Sequence, residues 1–168
     1  EEYKFCLLIS IGVFTGLRIS DLLKLKYSDL LNKNTLVLSE QKTGKIRTIR
    51  INQDLQSLIQ RVFKKQNLSH PNQQIFLNRF GKKPIDKSYV NVKLKEIFSK
   101  NRIKLEGNVS SHLFRKTLGR RVMEINNYSS ESLVLLMELF GHSSMAITKR
   151  YLGIRQQEIN DVYLSVSL

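Results

Sequence analysis

The stretch from Tyr3 to Phe14 is almost continuously apolar, which predicts a buried helix ending near Thr15 and Gly16. From Arg18 to Lys26 the residues Ile19, Leu22 and Leu23 return at helical spacing, so a second helix follows a glycine turn. Thr35 to Leu38 and Ile46 to Ile51 are β-branched or aliphatic with partial alternation. Between them, Lys42-Thr43-Gly44-Lys45 predicts a tight hairpin with the two lysines on opposite sides of a two-residue turn. Asn52 or Asp54 can cap a helix running to about Asn67, which the Pro71 region breaks; Ile75 to Leu77 reads as a short strand and Gly81 to Pro84 as a basic turn. Helices then follow over about 86–99, 110–126, 130–140, 144–152 and 156–165, with boundaries good to roughly 2–4 residues. The fold class is mainly α with a small antiparallel β-hairpin, an α+β arrangement.

At 168 residues the chain fits one compact domain better than two cramped ones. Its 41% hydrophobic and 25% charged residues are close to ordinary globular usage, which excludes a disordered chain. Charge changes the picture more: 28 Lys and Arg against 14 Asp and Glu leave +14, an excess that calls for an anionic partner, with nucleic acid first. No apolar run approaches the roughly 20 residues of a spanning helix and no signal-peptide pattern opens the chain, so a cytoplasmic protein with no membrane partner is expected. The single cysteine, Cys6, lies among Phe5, Leu7, Leu8 and Ile9 and reads as a small buried hydrophobe. One cysteine cannot form an internal disulfide or a cysteine-based zinc site. Glu1 begins within a turn of the first helix, so the chain is expected to be a piece of a longer protein.

Four constellations carry candidate chemistry. In Thr15-Gly16-Leu17-Arg18-Ile19-Ser20-Asp21-Leu22, Gly16 allows a sharp turn and Arg18 emerges in the first turn of the next helix; by itself Arg18 reads equally as an ion-pair partner of Asp21, three residues on. The hairpin gathers Lys42, Lys45, Arg47 and Arg50, either as a solvated tip touching phosphates or with one lysine as a proton donor. His112 and Arg115 are three apart on a helix and project from one side, where they could share an anion. That helix presents Phe114, Leu118, Val122 and Ile125 as its apolar face, with Arg115 on the shoulder and so partly buried and paired. Last, Leu139-Phe140-Gly141-His142-Ser143-Ser144 ends one helix and starts another that carries Tyr151 behind Lys149 and Arg150. On one continuous helix, nine residues at about 100° each would turn His142 and Tyr151 to opposite sides, so the break at Gly141 to Ser144 is what lets them converge. Alone, Tyr151 reads as a core aromatic beside Ile147.

Taken in order, Thr-Gly-Leu-Arg-x-Ser-Asp-Leu, a hairpin lysine, His-x-x-Arg, Phe-Gly-His and a tyrosine nine residues after that histidine resemble the catalytic domain of the tyrosine site-specific recombinases, the phage integrase family. The resemblance covers essentially all of residues 1–168. It implies the tyrosine recombinase catalytic-domain fold, with Tyr151 as nucleophile, Arg18 and Arg115 as a phosphate clamp, Lys42 as the hairpin lysine, and His112 and His142 completing the set. Lys42 is preferred to Lys45 because the family's lysine sits at the start of the hairpin turn. Asp21 stands where the family has Glu or Asp, and Lys116 replaces a frequent second histidine. DNA contacts are expected from Lys45, Arg47, Arg50, Lys116, Lys149 and Arg150.

The chemistry suits those residue types. Displacement at a phosphodiester spreads negative charge over non-bridging oxygens, and two guanidiniums meet it with permanently charged, planar forks of donors. Neighbouring cations favour the phenolate of a tyrosine, whose ordinary pKa is about 10, and an ammonium can protonate the leaving 5′-hydroxyl. The resemblance further implies a 3′-phosphotyrosine intermediate, no metal and no cofactor, and double-stranded DNA as partner. It also implies self-association as a tetramer on DNA and a monomer in solution, with residues 153–168 forming a terminal helix that docks on a neighbouring protomer. The family's N-terminal core-binding domain is expected to be absent from residues 1–168. A mobile-element or prophage integrase is the expected role. A non-catalytic basic DNA-binding module, or a type IB topoisomerase-like nicking and closing enzyme, is the alternative.

Overall fold

The computed structural model describes residues 2–66, 70–105 and 107–166, without the side chains of residues 155–159 and 162. The order of elements is α1 (Glu2–Thr15), α2 (Ile19–Leu22), α3 (Tyr27–Leu30), β1 (Thr35–Ser39), β2 (Ile46–Arg50), α4 (Gln53–Lys65), α5 (Lys87–Lys100), α6 (His112–Ile125), α7 (Ser130–Phe140), α8 (Met145–Leu152) and α9 (Ile154–Ser165). The chain divides into two compact units, Glu1–Arg115 and Lys116–Leu168, with the division inside α6.

In the first unit α1 buries Phe5, Leu7, Leu8, Ile11, Gly12 and Thr15. At about 100° per residue these occupy one broad face. Cys6 falls opposite its centre and is exposed, contrary to the buried reading. Gly12 is buried because the Phe114 ring lies against the α1 backbone: a Cβ there would stand 2.5 Å from a ring carbon. Beyond Gly16, which takes a left-handed φ of 60°, α2 lasts a single turn rather than running to Lys26. Tertiary pairing ends it: the amide of Ile75 bonds the carbonyl of Leu25, and the amide of Tyr27 bonds that of Gln73. The same pairing makes Gln74 and Leu77 isolated bridges, to Lys26 and Pro84, instead of the short strand expected over Ile75 to Leu77.

β1 and β2 pair antiparallel with Thr35 opposite Arg50 and Ser39 opposite Ile46. The alternation of the pleat turns Leu36, Leu38 and Glu40 inward from one side, and Arg47, Ile49 and Ile51 from the other, while Val37 and Ile46 are exposed. The connection is longer than a two-residue turn: Glu40 donates its amide to Lys45 O, and Gly44, at φ 67°, donates to Glu40 O. Asn52, not Asp54, caps α4, accepting from the amide of Leu55. The helix end expected at Asn67 lies outside the described residues.

In the second unit Met123, Leu133, Leu136, Phe140 and Leu152 form a small core. The buried face of α6 is accordingly Phe114, Arg115, Gly119 and Met123, rotated from the one the sequence indicated; Ile125, expected inside, is 70% exposed. Gly119 is close-packed, since a Cβ there would meet Leu152 and stand 3.2 Å from the Phe140 ring. In α9, Tyr163 and Leu164 are exposed. The expected pattern of Ile159 and Val162 rests on side chains outside the described set. Among the described residues no helix is long and apolar enough to cross a membrane.

Candidate functional site

The first unit supplies four of the expected groups. Arg18 stands at the start of α2 on extended backbone, two residues past the Gly16 turn. Arg115, only 5% exposed, donates from Nη1 to the carbonyl of that same Gly16 at 3.0 Å, across 99 residues of sequence. One glycine turn thus presents one arginine and anchors the other. The paired, buried character expected of Arg115 holds, because a guanidinium on the inner face of a helix must find acceptors there. His112 is exposed at the first position of α6.

Arg18 does not pair with Asp21. Its Nη1 meets Oε2 of Glu40 at 2.5 Å, while Asp21 turns its Oδ1 to the backbone amide of Gln41 at 2.9 Å. Glu40 is 4% exposed and also receives the Thr43 hydroxyl at 2.8 Å and Arg47 Nη1 at 3.4 Å. Burial pushes the Glu40 carboxyl up, but hydrogen bonds from Thr43 and Arg18 and the charges of Arg18 and Arg47 outweigh it and hold the group below the usual carboxylate range. Arg47, expected to face DNA, is turned inward: besides Glu40 it donates from Nη2 to the carbonyl of Thr15 at 3.0 Å. Burial lowers its guanidinium pKa from the ordinary value, against the raising charge of Glu40. Lys42, Lys45 and Arg50 are exposed, the lysines on the loop and Arg50 on the outer face of β2.

Glu40 was not among the residues singled out in the sequence. Its signal was the two-residue period of the hairpin, which places it inward after Leu36 and Leu38 and therefore demands a cationic partner.

In the second unit, Gly141 closes α7 at φ 63°, ψ 41°, and His142 donates its amide back to Met137 O at 2.9 Å. Ser144 caps α8, accepting from the amide of Ile147. The break brings His142 and Tyr151 together as the facing argument required: their ring centroids are 5.3 Å apart, edge to face, and the Phe140 ring lies 5.6 and 5.7 Å from them. His142 Nδ1 is 3.0 Å from Thr148 Oγ1, whose hydroxyl reaches Ser144 O at 3.4 Å. A hydroxyl that donates to Ser144 accepts from Nδ1–H. Tyr151 packs on these rings, while Ile147, one turn earlier on α8, is 42% exposed. Lys116 lies over the Tyr151 ring at 5.8 Å, and Lys149 and Arg150 occupy the last turn of α8. Tyr27 makes the contrast: fully buried, its phenol is pushed up to about 12 and donates to Gln66, which unfits it as a nucleophile. Among the described residues no group of three His, Cys, Asp or Glu is placed to hold a metal.

The chain is similar to known proteins in sequence and in fold. The probable integrase/recombinase YoeC of Bacillus subtilis is 30% identical over 152 residues, 90% of this chain and 78% of that protein. The tyrosine recombinase XerC of Leptospira interrogans is 27% identical over 159 residues, 93% of this chain but 48% of that protein, so the chain spans about half the length of that relative. In fold it is similar to the XerH site-specific recombinase bound to its difH substrate in a pre-cleavage complex, with a TM-score of 0.67 at 23% identity over 96% of this chain and 46% of that one. The model of the family described as "Phage integrase family" matches residues 2–158, and the chain belongs to that family.

Proposed function

We propose that the chain is the catalytic part of a tyrosine recombinase that cuts and rejoins double-stranded DNA, as the integrase of a mobile element or prophage. The observation that carries the reading is the Gly16 turn, which presents Arg18 and anchors Arg115, a ready pair of guanidiniums for one phosphate. In the proposed reaction the Tyr151 oxygen attacks the scissile phosphorus and the bond to the 5′-oxygen breaks. His112 takes the phenol's proton, and Lys42 gives a proton to the leaving 5′-oxygen. The 3′-phosphotyrosine keeps the energy of the phosphodiester, so a new 5′-hydroxyl religates it by the reverse steps without ATP or metal.

Binding is assigned to Lys45, Arg50, Lys116, Lys149 and Arg150, and the +14 charge supports it. Arg47 is assigned to bracing the hairpin. The Tn1549 transposon integrase, similar in fold, is described in complex with circular intermediate DNA, which supports DNA as partner here. Assembly of several copies on DNA, four in the full reaction, with residues 153–168 reaching a neighbour, belongs to the same proposal, as do a cytoplasmic location and the assignment of residues 1–168 to one catalytic domain.

The test is a nicked duplex carrying the target site, in which loss of a short fragment traps the covalent complex. A protein–DNA adduct that survives denaturant is expected from the wild type, unaffected by EDTA. Tyr151→Phe keeps the ring contacts but should lower adduct formation by at least about 10⁴-fold. An adduct that persists in that variant overturns the assignment; binding without any adduct favours the non-catalytic module.

A further inference from the structure

Glu40 closes the inner face of β1 with a carboxylate where the pattern of Leu36 and Leu38 would place another apolar side chain. A carboxylate 4% exposed is costly unless its oxygens are met by donors and cations. Both are supplied, and from separate places: Arg18 from the turn after α1, Arg47 from β2, and Thr43 from the loop itself. The backbone of Glu40 is tied as well, its amide to Lys45 O at 2.9 Å and its carbonyl to the Gly44 amide at 2.8 Å. Next to it, Gln41 is held by the buried Asp21, whose second oxygen, Oδ2, has no hydrogen-bond partner among the described residues. Lys42 follows immediately. Two buried acids thus hold the root of the exposed loop, and one of them grips the Arg18 side chain directly.

We infer that Glu40 is a positioning residue for strand cleavage, a single buried carboxylate that sets the Arg18 guanidinium and the Lys42 loop relative to each other. The inference rests on the proposed reaction, in which Arg18 holds the non-bridging oxygens of the phosphate and Lys42 protonates its leaving 5′-oxygen. Both must be in place before the phosphorus is attacked, and a displacement of about 1 Å is enough to cost about 100-fold in rate. Glu40 itself touches no substrate. Its charge holds two guanidiniums close to each other, and without that charge Arg18 and Arg47 repel, so that both the clamp and the loop loosen.

The experiment compares the wild type with Glu40→Gln and Glu40→Asp as the intact chain. Without DNA, trypsin cleavage after Lys42 and Lys45 reads the loop, and Glu40→Gln is expected to speed it about tenfold, as the open state becomes more populated. On the nicked duplex, Glu40→Gln is expected to slow single-turnover adduct formation about 100-fold while the dissociation constant for DNA stays within about twofold; Glu40→Asp, which keeps the charge, should recover much of the rate. Wild-type rates in Glu40→Gln, with or without a looser loop, overturn the inference, and so does a loss of DNA affinity that accounts for the whole defect. If Glu40→Gln loses its cooperative thermal transition, Glu40→Asp decides alone: a rate equal to wild type with a loop as well protected supports the charge tie, whereas a 100-fold loss would overturn it. Should the wild type itself form no adduct, the recombinase reading fails, while the trypsin comparison still decides whether Glu40 ties the loop.

Discussion

The hairpin platform of the first unit and the tyrosine corner of the second are built on opposite physical plans. In the first, Arg18, Arg47, Asp21 and Glu40 bring four charges into a half-buried setting and spend hydrogen bonds to keep them there. In the second, Tyr151 and His142 lean on Phe140 through edge-to-face ring contacts, a hydroxyl and a glycine break. Ring pairs of this kind contribute about 0.5–1.5 kcal/mol each, far less than the loss of one partner from a buried ion pair. Groups that meet charge must be fixed beforehand, since preorganised donors need no rearrangement as charge develops. A nucleophile that has to advance on phosphorus is better held by soft contacts.

Replacing the clamp tests that contrast most severely. Arg115→Lys removes the planar fork and the reach to Gly16 O but keeps a positive charge; adduct formation should fall by about 10²–10³-fold with DNA affinity nearly unchanged. A matching loss of affinity would mean that the platform serves binding rather than chemistry.

A paired substitution of intermediate effect sharpens the comparison. Gly12→Ala forces the Phe114 ring, the neighbour of Arg115, off the α1 backbone, and Gly119→Ala presses on Phe140 and Leu152 beneath the tyrosine corner. Each should lower stability by about 1–3 kcal/mol in urea unfolding. If the first plan is rigid and the second soft, Gly12→Ala should slow adduct formation well beyond its effect on stability, and Gly119→Ala should not. Equal effects would erase the distinction.

The smallest effect is on pH. The Glu40 carboxyl is held below the usual carboxylate range in the folded chain, so its stabilisation is complete above that range and is lost as pH falls through the lowered value. The groups facing it are Arg18, Arg47 and Thr43, with Asp21 acting on Arg47. Amide exchange at Gln41 and Gly44, corrected for intrinsic rate, should rise in that acid window, while that of His142, whose amide bonds Met137 O, should hold. Parallel loss at both would mark general acid unfolding instead.

Much of the second plan was legible in the sequence. Gly141, His142, Ser144 and Tyr151 are local, within one helix–turn–helix, and local rules of capping and helical pitch sufficed to foresee their convergence. The placing of His112 and Arg115 on one helix, with Arg115 buried and paired, was legible for the same reason. The first plan depends on long-range partners that no local rule reveals. Arg18 finds Glu40 rather than Asp21 because the hairpin folds back over α2, and α2 stops early because residues 73–75 take its backbone bonds. Cys6 and Ile125 were misread because apolar character was taken for burial, whereas the buried arc of α1 and the close packing at Gly119 decide which face turns in.

The buried acids under the hairpin have a consequence for how DNA is met. The two carboxylates Glu40 and Asp21 offset the two guanidiniums Arg18 and Arg47 at long range, so attraction of a phosphate out to a Debye length of about 10 Å comes chiefly from the exposed lysines and arginines. Added salt should therefore weaken capture of DNA steeply while leaving the cleavage rate of DNA already bound almost untouched. On the proposed reaction, the ion-paired Arg18 that meets the phosphate and the exposed cations that gather DNA therefore answer differently to salt.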